Sequence, residues 1–164
     1  MKKKKLVFDL DYTLYSPVLY PEKNYITNSA KFYVDLKSDI KLRELLKKTE
    51  NYIFTNANEQ HMDLCLKIMR IKTMFKNTAF NDLYKGSYKP NKDVYELVIK
   101  RFKFNENDTI YFFEDLKENL KTAKKHFNWN TVYLDHKNTM KKKPSYIDYK
   151  FTNIYDAIEF IQKL

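Results

Sequence analysis

Phe8-Asp9-Leu10-Asp11-Tyr12-Thr13-Leu14 closes a short apolar run, Leu6-Val7-Phe8, and sets two carboxylates two residues apart. The run reads as a buried strand, with Asp9 and Asp11 at its carboxyl end. Side chains of an extended chain alternate in direction, so both acids can face one site. Such a pair suits one carboxylate that attacks or binds metal and a second that moves protons. An EF-hand calcium loop does not fit. Counted from Asp9, its sixth position is Leu14 instead of Gly and its twelfth is Tyr20 instead of Glu.

Outward from this stretch, strand and helix periods alternate. Tyr12 to Lys37 reads as irregular and aromatic, with Pro17 and Pro21 breaking any helix. A helix is expected around Asp39 to Thr49, then a strand at Tyr52-Ile53-Phe54. A second helix is expected from Glu59 to Arg70, with Met62, Cys65, Leu66 and Met69 on one face. Thr78-Ala79-Phe80 reads as a short strand. Pro90 suits an early helical position, ahead of Val94, Leu97, Val98 and Phe102. Strands follow at Thr109–Phe113, Thr131–Leu134 and, more weakly, Tyr149–Phe151. Helices are expected through Leu116, Leu120, Ala123 and Phe127, and through Ile154, Ala157, Ile158 and Ile161. The pattern predicts an α/β fold, a parallel sheet flanked by helices.

In such sheets ligands lie beyond the carboxyl ends of the strands. Asp9, Asp11 and Thr13 follow the first strand. Thr55 and Asn56 follow the second, before a helix whose free N–H groups suit a phosphate. Lys85 and Lys89-Pro90 follow the third. Glu114 and Asp115 follow the fourth, with Asn119 one helical turn on. The acids would give a hard cation such as Mg²⁺ its oxygen ligands. The other two strand ends would hold a phosphoryl group.

This arrangement resembles the haloacid dehalogenase-like (HAD) hydrolase superfamily. Its four motifs are matched in order by Asp9-x-Asp11-x-Thr13, by Thr55, by Lys89 before Pro90, and by Glu114-Asp115. Lys89 fits the third motif better than Lys85. Phe54-Thr55-Asn56-Ala57 and Phe112-Phe113-Glu114-Asp115 with Asn119 look most like the pyrimidine 5′-nucleotidase-type branch. The resemblance implies a Rossmann-like HAD domain spanning 1–164 and a Mg²⁺-dependent phosphatase. Asp9 would be the nucleophile and Asp11 the acid/base. Thr55, Asn56 and Lys89 would bind phosphate. Asp9, Asp11 (through its carbonyl), Glu114 and Asp115 would hold the metal. Glu114 departs from the commoner Asp, and its longer side chain would reach metal through a water. Relatives of this branch carry a helical cap between the first two motifs. Here residues 15–37 leave room only for a small flap, so an open site is expected. An open site suggests a bulky substrate such as a polynucleotide end or phosphoprotein, a neighbouring subunit acting as lid, or low selectivity, whereas the resemblance itself implies a small phosphorylated substrate such as a nucleoside 5′-monophosphate. A binder that lost turnover is the competing class, and the intact Asp11 argues against it.

The remaining signals are weaker. The formal charge of +10 fits a polyanionic partner such as nucleic acid, or AT-rich coding, which also explains one Gly beside 14 Tyr and 12 Phe. Coding bias outweighs the partner. Tyr12, Tyr15, Tyr20 and Tyr25 could stack on a base. His61, His126 and His136 lack partners at metal spacing and read as structural or surface. Lys141-Lys142-Lys143-Pro144 reads as a solvated loop. Met1 to Lys5 imitates a signal-peptide start, but Asp9 and Asp11 interrupt the apolar run behind it. A single cysteine, Cys65, and no long apolar run lead to the expectation of a cytoplasmic protein without membrane contact.

Overall fold

Strand β1 (Lys3–Phe8) lies at the middle of the molecule because both faces of its end are apolar. Leu6 and Phe8 point into one core and Val7 into another, all fully buried. The computed structural model describes residues 3–15 and 30–164. Around β1 run β2 (Glu50–Phe54), β3 (Phe75–Ala79), β4 (Asp108–Glu114), β5 (Asn130–Leu134) and β6 (Tyr149–Phe151). All pairings are parallel, in the order β3-β2-β1-β4-β5-β6.

Among the described residues six α-helices cover the sheet: α1 (Ala30–Asp35), α2 (Ile40–Leu46), α3 (Glu59–Ile68), α4 (Lys92–Phe102), α5 (Lys117–Phe127) and α6 (Ile154–Lys163). One core joins Phe32, Leu42, Met62, Leu66 and Ile158 of α1, α2, α3 and α6 to Leu6, Phe8 and Phe113 of the sheet. The other joins Val94, Tyr95 and Val98 of α4 and Leu120 of α5 to Val7, Phe54 and Phe112. Cutting Phe8 to Ala would cost about 3–5 kcal/mol. Asp39, Asn58 and Asn153 cap α2, α3 and α6, each accepting from a backbone N–H three residues on.

The order reverses at β1, since β2 and β3 lie to one side and β4 to β6 to the other. The chain ends after β1, β2 and β4 therefore flank one crevice, where open parallel sheets bind ligands. The ladder aims the first acid there directly: Asp9 N–H donates to Phe113 O at 3.0 Å.

Several elements differ from the expectation. β1 begins at Lys3, inside the lysine run. Lys5 is tolerated in the sheet because it pairs with Glu50 (3.5 Å) and Asp108 (3.3 Å) and lies over the Tyr52 and Phe104 rings. β3 starts earlier, at Phe75, as an edge strand whose Asn77 and Thr78 are half-buried. α1 replaces part of the segment expected to be irregular, and Phe32 anchors it. Pro90 precedes α4 through a cis peptide and is not a helical residue. Leu116 is not on a buried face. It sits ahead of α5, 57% exposed. The expected flap at 15–37 falls largely on residues outside those described, as do Tyr20 and Tyr25. Among the described residues no helical cap stands between β1 and β2, and no helix is long and apolar enough to cross a membrane.

Candidate active site

Lys89 is the centre of the crevice. Its ammonium is buried and donates to Asp9 Oδ1, Glu114 Oε2 and Phe54 O, each at 2.8 Å. Those three acceptors engage all three of its N–H groups. The Phe54 and Phe112 rings flank it with centroids at 4.9 and 5.4 Å. Lys89 thus joins the ends of β1, β2 and β4. Two neighbouring carboxylates hold its pKa above the ordinary lysine value despite burial, so it stays charged.

Asn56 fixes where Lys89 leaves the backbone. Its Oδ1 accepts from Lys89 N–H (2.9 Å) and its Nδ2 donates to Lys89 O (3.1 Å). Thr55 is buried, its Oγ1 accepting from Ala57 N–H at 3.0 Å and its carbonyl from Tyr84 OH at 2.8 Å. Lys85 takes no part in this cavity.

Glu114 is fully buried, and four donors converge on it. Oε1 accepts from the N–H groups of Asp115 and Leu116 (both 3.1 Å). Oε2 accepts from Lys89 and from Asn119 Nδ2 (2.8 Å). Among the described residues, no donor is hydrogen-bonded to the Asp115 carboxylate. One ligand oxygen each from Asp9, Glu114 and Asp115 lie within 4.8 Å of one another. Three carboxylates against one ammonium leave two negative charges uncompensated if all ionise, which is the charge of one divalent cation. The strain shows in their acidities. Burial first, then Glu114, push Asp9 up to about 7, with Lys89 opposing. Burial, then Glu114 and Asp9, push Asp115 up to about 9. A hard cation with oxygen ligands would relieve this crowding, so the donor set fits one.

Asp11 faces the same cavity of about 370 Å³, with Asp9, Tyr12, Thr55, Asn56, Lys89, Asp115 and Leu116 also on its walls. Its Oδ1 accepts from His61 Nε2 at 2.8 Å and from the Tyr15 hydroxyl. Tyr12, beside it, takes the left-handed conformation (φ 59°), which turns the chain sharply out of β1. His136 Nε2 meets the Tyr12 carbonyl at 2.5 Å. Thr13 is buried within this turn, and its Oγ1 has no hydrogen-bond partner among the described residues. The structure therefore brings Asp9, Asp11, Thr55, Asn56, Lys89, Glu114, Asp115 and Asn119 into one crevice, while Thr13 is buried in the turn after β1 and does not line it.

Residues 22–132, more than half of the chain, match the haloacid dehalogenase-like hydrolase family. The chain belongs to that family. The matched stretch contains Thr55, Lys89, Glu114 and Asp115 and begins after Asp9 and Asp11. No curated protein sequence matches the chain. Among solved structures it is similar to an L-2-haloacid dehalogenase from Xanthobacter autotrophicus with chloropropionic acid covalently bound. There the identity is 12%, each chain is 99% covered and the TM-score is 0.73. It is also similar to a HAD hydrolase from Bacillus subtilis bound to magnesium, at 15% identity, complete coverage of both chains (100% each) and TM-score 0.67. A third, a HAD hydrolase from Ehrlichia chaffeensis, shares 17% identity over 100% of this chain and 98% of its own, at TM-score 0.63. Identities this low carry the shared fold alone.

Two side chains of this HAD hydrolase site escaped the sequence. His61 is a partner of Asp11, not merely a structural or surface residue, and Tyr33 stands behind it with its hydroxyl 2.7 Å from His61 Nδ1. The one available signal was position. His61 lies in the first turn of α3, the helix that opens just after Thr55 and Asn56, so it had to face the crevice or the core beside it. The Asn56 N–H was expected to meet phosphate; its side chain has a second role that the sequence did not show, the clamp on the Lys89 backbone.

Proposed function

We propose that this HAD hydrolase is a Mg²⁺-dependent phosphatase that hydrolyses phosphate monoesters through an aspartyl-phosphate. The observation that carries the proposal is the division of labour between Asp9 and Asp11. Asp9 is tied to a buried ammonium, while Asp11, two residues on, is held by neutral or proton-bearing groups at the open side of the same cavity. A nucleophile and a proton carrier need those two environments. Displacing a halide needs no proton on the leaving group, whereas displacing an alkoxide from phosphorus does.

An oxygen of Asp9 attacks phosphorus as the bond from phosphorus to the ester oxygen breaks, and Asp11 gives its proton to that departing oxygen. Asp11, now a carboxylate, takes a proton from the water that attacks the aspartyl-phosphate. Phosphate leaves and Asp9 is restored. Lys89, with its three N–H groups engaged, acts on the phosphoryl group through its fixed charge and through its hold on Asp9. Thr55 and the Asn56 N–H supply the neutral contacts. The carboxylates of Asp9 and Asp115 and the Asp11 carbonyl would hold Mg²⁺, with Glu114 behind them as the anchor of Lys89 or as a ligand through water. The ion supplies neutralisation of the phosphoryl charge and fixes its orientation.

For substrate we propose a small phosphorylated molecule, in first place a nucleoside 5′-monophosphate. Tyr12 and the exposed Leu116 on the cavity wall offer apolar surface to a base or sugar. The test is a panel at fixed Mg²⁺: p-nitrophenyl phosphate, UMP, CMP, AMP, a sugar phosphate, a 5′-phosphorylated oligonucleotide and 2-chloropropionate. Phosphate release that needs Mg²⁺, favouring UMP or CMP, supports the proposal. Chloride release without phosphatase activity overturns it. A dominant oligonucleotide rate that falls steeply with salt moves the substrate to a polyanion.

A further inference from the structure

Asp11 is held by one of its two oxygens only. Oδ1 accepts from both His61 Nε2 and Tyr15 OH, and among the described residues nothing is hydrogen-bonded to Oδ2. Burial and the adjacent carboxylate keep the Tyr15 phenol protonated, so it serves Asp11 as a donor. His61 is itself fixed from four sides. The Asn58 side chain accepts from its backbone N–H (2.8 Å), and Phe32 lies beside its ring (centroids 5.8 Å apart). Cys65 Sγ lies 3.7 Å from Nε2, and Tyr33 OH lies 2.7 Å from Nδ1. A Tyr33 hydroxyl donating to Nδ1 leaves the ring proton on Nε2, facing Asp11. Tyr33 and Phe32 come from α1, the short helix in the segment between the first two motifs.

We propose that His61, set by Tyr33, is a positioning residue for Asp11. With Tyr15 it occupies Oδ1 and so commits Oδ2 to every proton transfer in the reaction. Oδ1 accepts the same two bonds whether the carboxyl group carries its proton on Oδ2 or has lost it. Asp11 can therefore donate to the leaving oxygen and later accept from water without rotating. This rests on the phosphatase reading above, since a reaction without leaving-group protonation gives Asp11 no such task.

The test compares wild type, His61→Leu, His61→Gln and Tyr33→Phe on two phosphate esters with Mg²⁺. β-Glycerophosphate has a leaving group that needs a proton, and p-nitrophenyl phosphate has one that does not. General acid–base catalysis contributes on the order of 10²-fold or more, so His61→Leu should lower kcat on β-glycerophosphate by about that factor. KM should change little, and the loss on p-nitrophenyl phosphate should be several-fold at most. His61→Gln, which can present an amide N–H to Oδ1, should recover part of the loss. Tyr33→Phe should show a smaller loss of the same selectivity, and it carries the test if His61→Leu fails to fold. A second readout needs no turnover. In ¹⁵N-histidine spectra of the metal-free chain, His61 should be protonated at Nε2. Equal losses on both esters, no loss in any variant, or a ring protonated at Nδ1 alone overturns the inference and leaves the phosphatase reading standing. A wild-type chain that hydrolyses neither ester overturns both.

Discussion

Among the described residues two lysines are buried, one at each end of the sheet, built from the same parts and put to different uses. Lys5, near the amino ends of the strands, pairs with Glu50 and Asp108 and lies over Tyr52 and Phe104. Lys89, at the carboxyl ends, pairs with Asp9 and Glu114 and lies over Phe54 and Phe112. The difference is in the charge around them. At the Lys5 end, Glu50 also pairs with Lys76 at 3.0 Å, so cations match the acids. At the Lys89 end, Asp115 and Asp11 add carboxylates with no further ammonium among the described residues that line the crevice, and Asp9 and Asp115 are pushed up to about 7 and 9. A balanced cluster ties strands together. An unbalanced one leaves an excess of negative charge that a divalent cation can neutralise, and clustered perturbed acidities of this kind mark functional sites.

The sharpest way to break this contrast is to disable each end in turn. Asp9→Asn should lower kcat at least about 10³-fold, because it removes the nucleophile itself. Lys89→Met should lower kcat by about 10²–10³-fold, the range for losing one preorganised charge stabiliser. Lys5→Met should leave kcat near wild type but destabilise the fold by about 1–3 kcal/mol, since it takes the lysine from the half-buried Asp108 while Glu50 keeps Lys76. Steady-state kinetics beside urea unfolding separates the two outcomes. A Lys5→Met protein of unchanged stability and reduced kcat would erase the distinction.

The excess of negative charge also has a pH signature. Asp9 and Asp115 bind protons more tightly folded than unfolded, so their contribution stabilises the metal-free chain at low pH. That contribution is lost as pH rises through about 7 and then about 9. Mg²⁺, by favouring the ionised acids, should raise Tm more at pH 9 than at pH 6. Asp115→Asn should flatten both trends, as thermal melts with and without Mg²⁺ would show. A Mg²⁺ effect that shrinks as pH rises would contradict the assignment. The smallest expected effect is at Asn56. Asn56→Ala removes two hydrogen bonds to the Lys89 backbone, each worth about 1 kcal/mol, and should reduce kcat roughly 10-fold while Tm falls by a few degrees.

The acids were legible in the sequence because each lies at or just past the carboxyl end of β1 or β4, and a parallel sheet brings strand ends together. Asp9, Asp11, Glu114 and Asp115 needed no long-range information beyond that rule. What was illegible joins residues far apart in sequence. Asn56 meets Lys89, and His61 meets Asp11, across loops whose course no local pattern encodes. Glu114 reads as one more ligand in sequence. Only the fold shows four donors already on its two oxygens. The strand start at Lys3 was hidden for a similar reason. A lysine run argues for solvent until Glu50 and Asp108, supplied by β2 and the start of β4, are seen to receive Lys5.

The central claim is that the crevice transfers a phosphoryl group to Asp9. Its most direct test is to mix the chain with p-nitrophenyl phosphate and Mg²⁺, quench in acid within the first turnover, and map the modified peptide by mass spectrometry. The expected result is one phosphoryl group on Asp9, dependent on Mg²⁺ and absent from Asp9→Asn. A phosphorylated residue elsewhere, or hydrolysis that continues undiminished in Asp9→Asn, would contradict it.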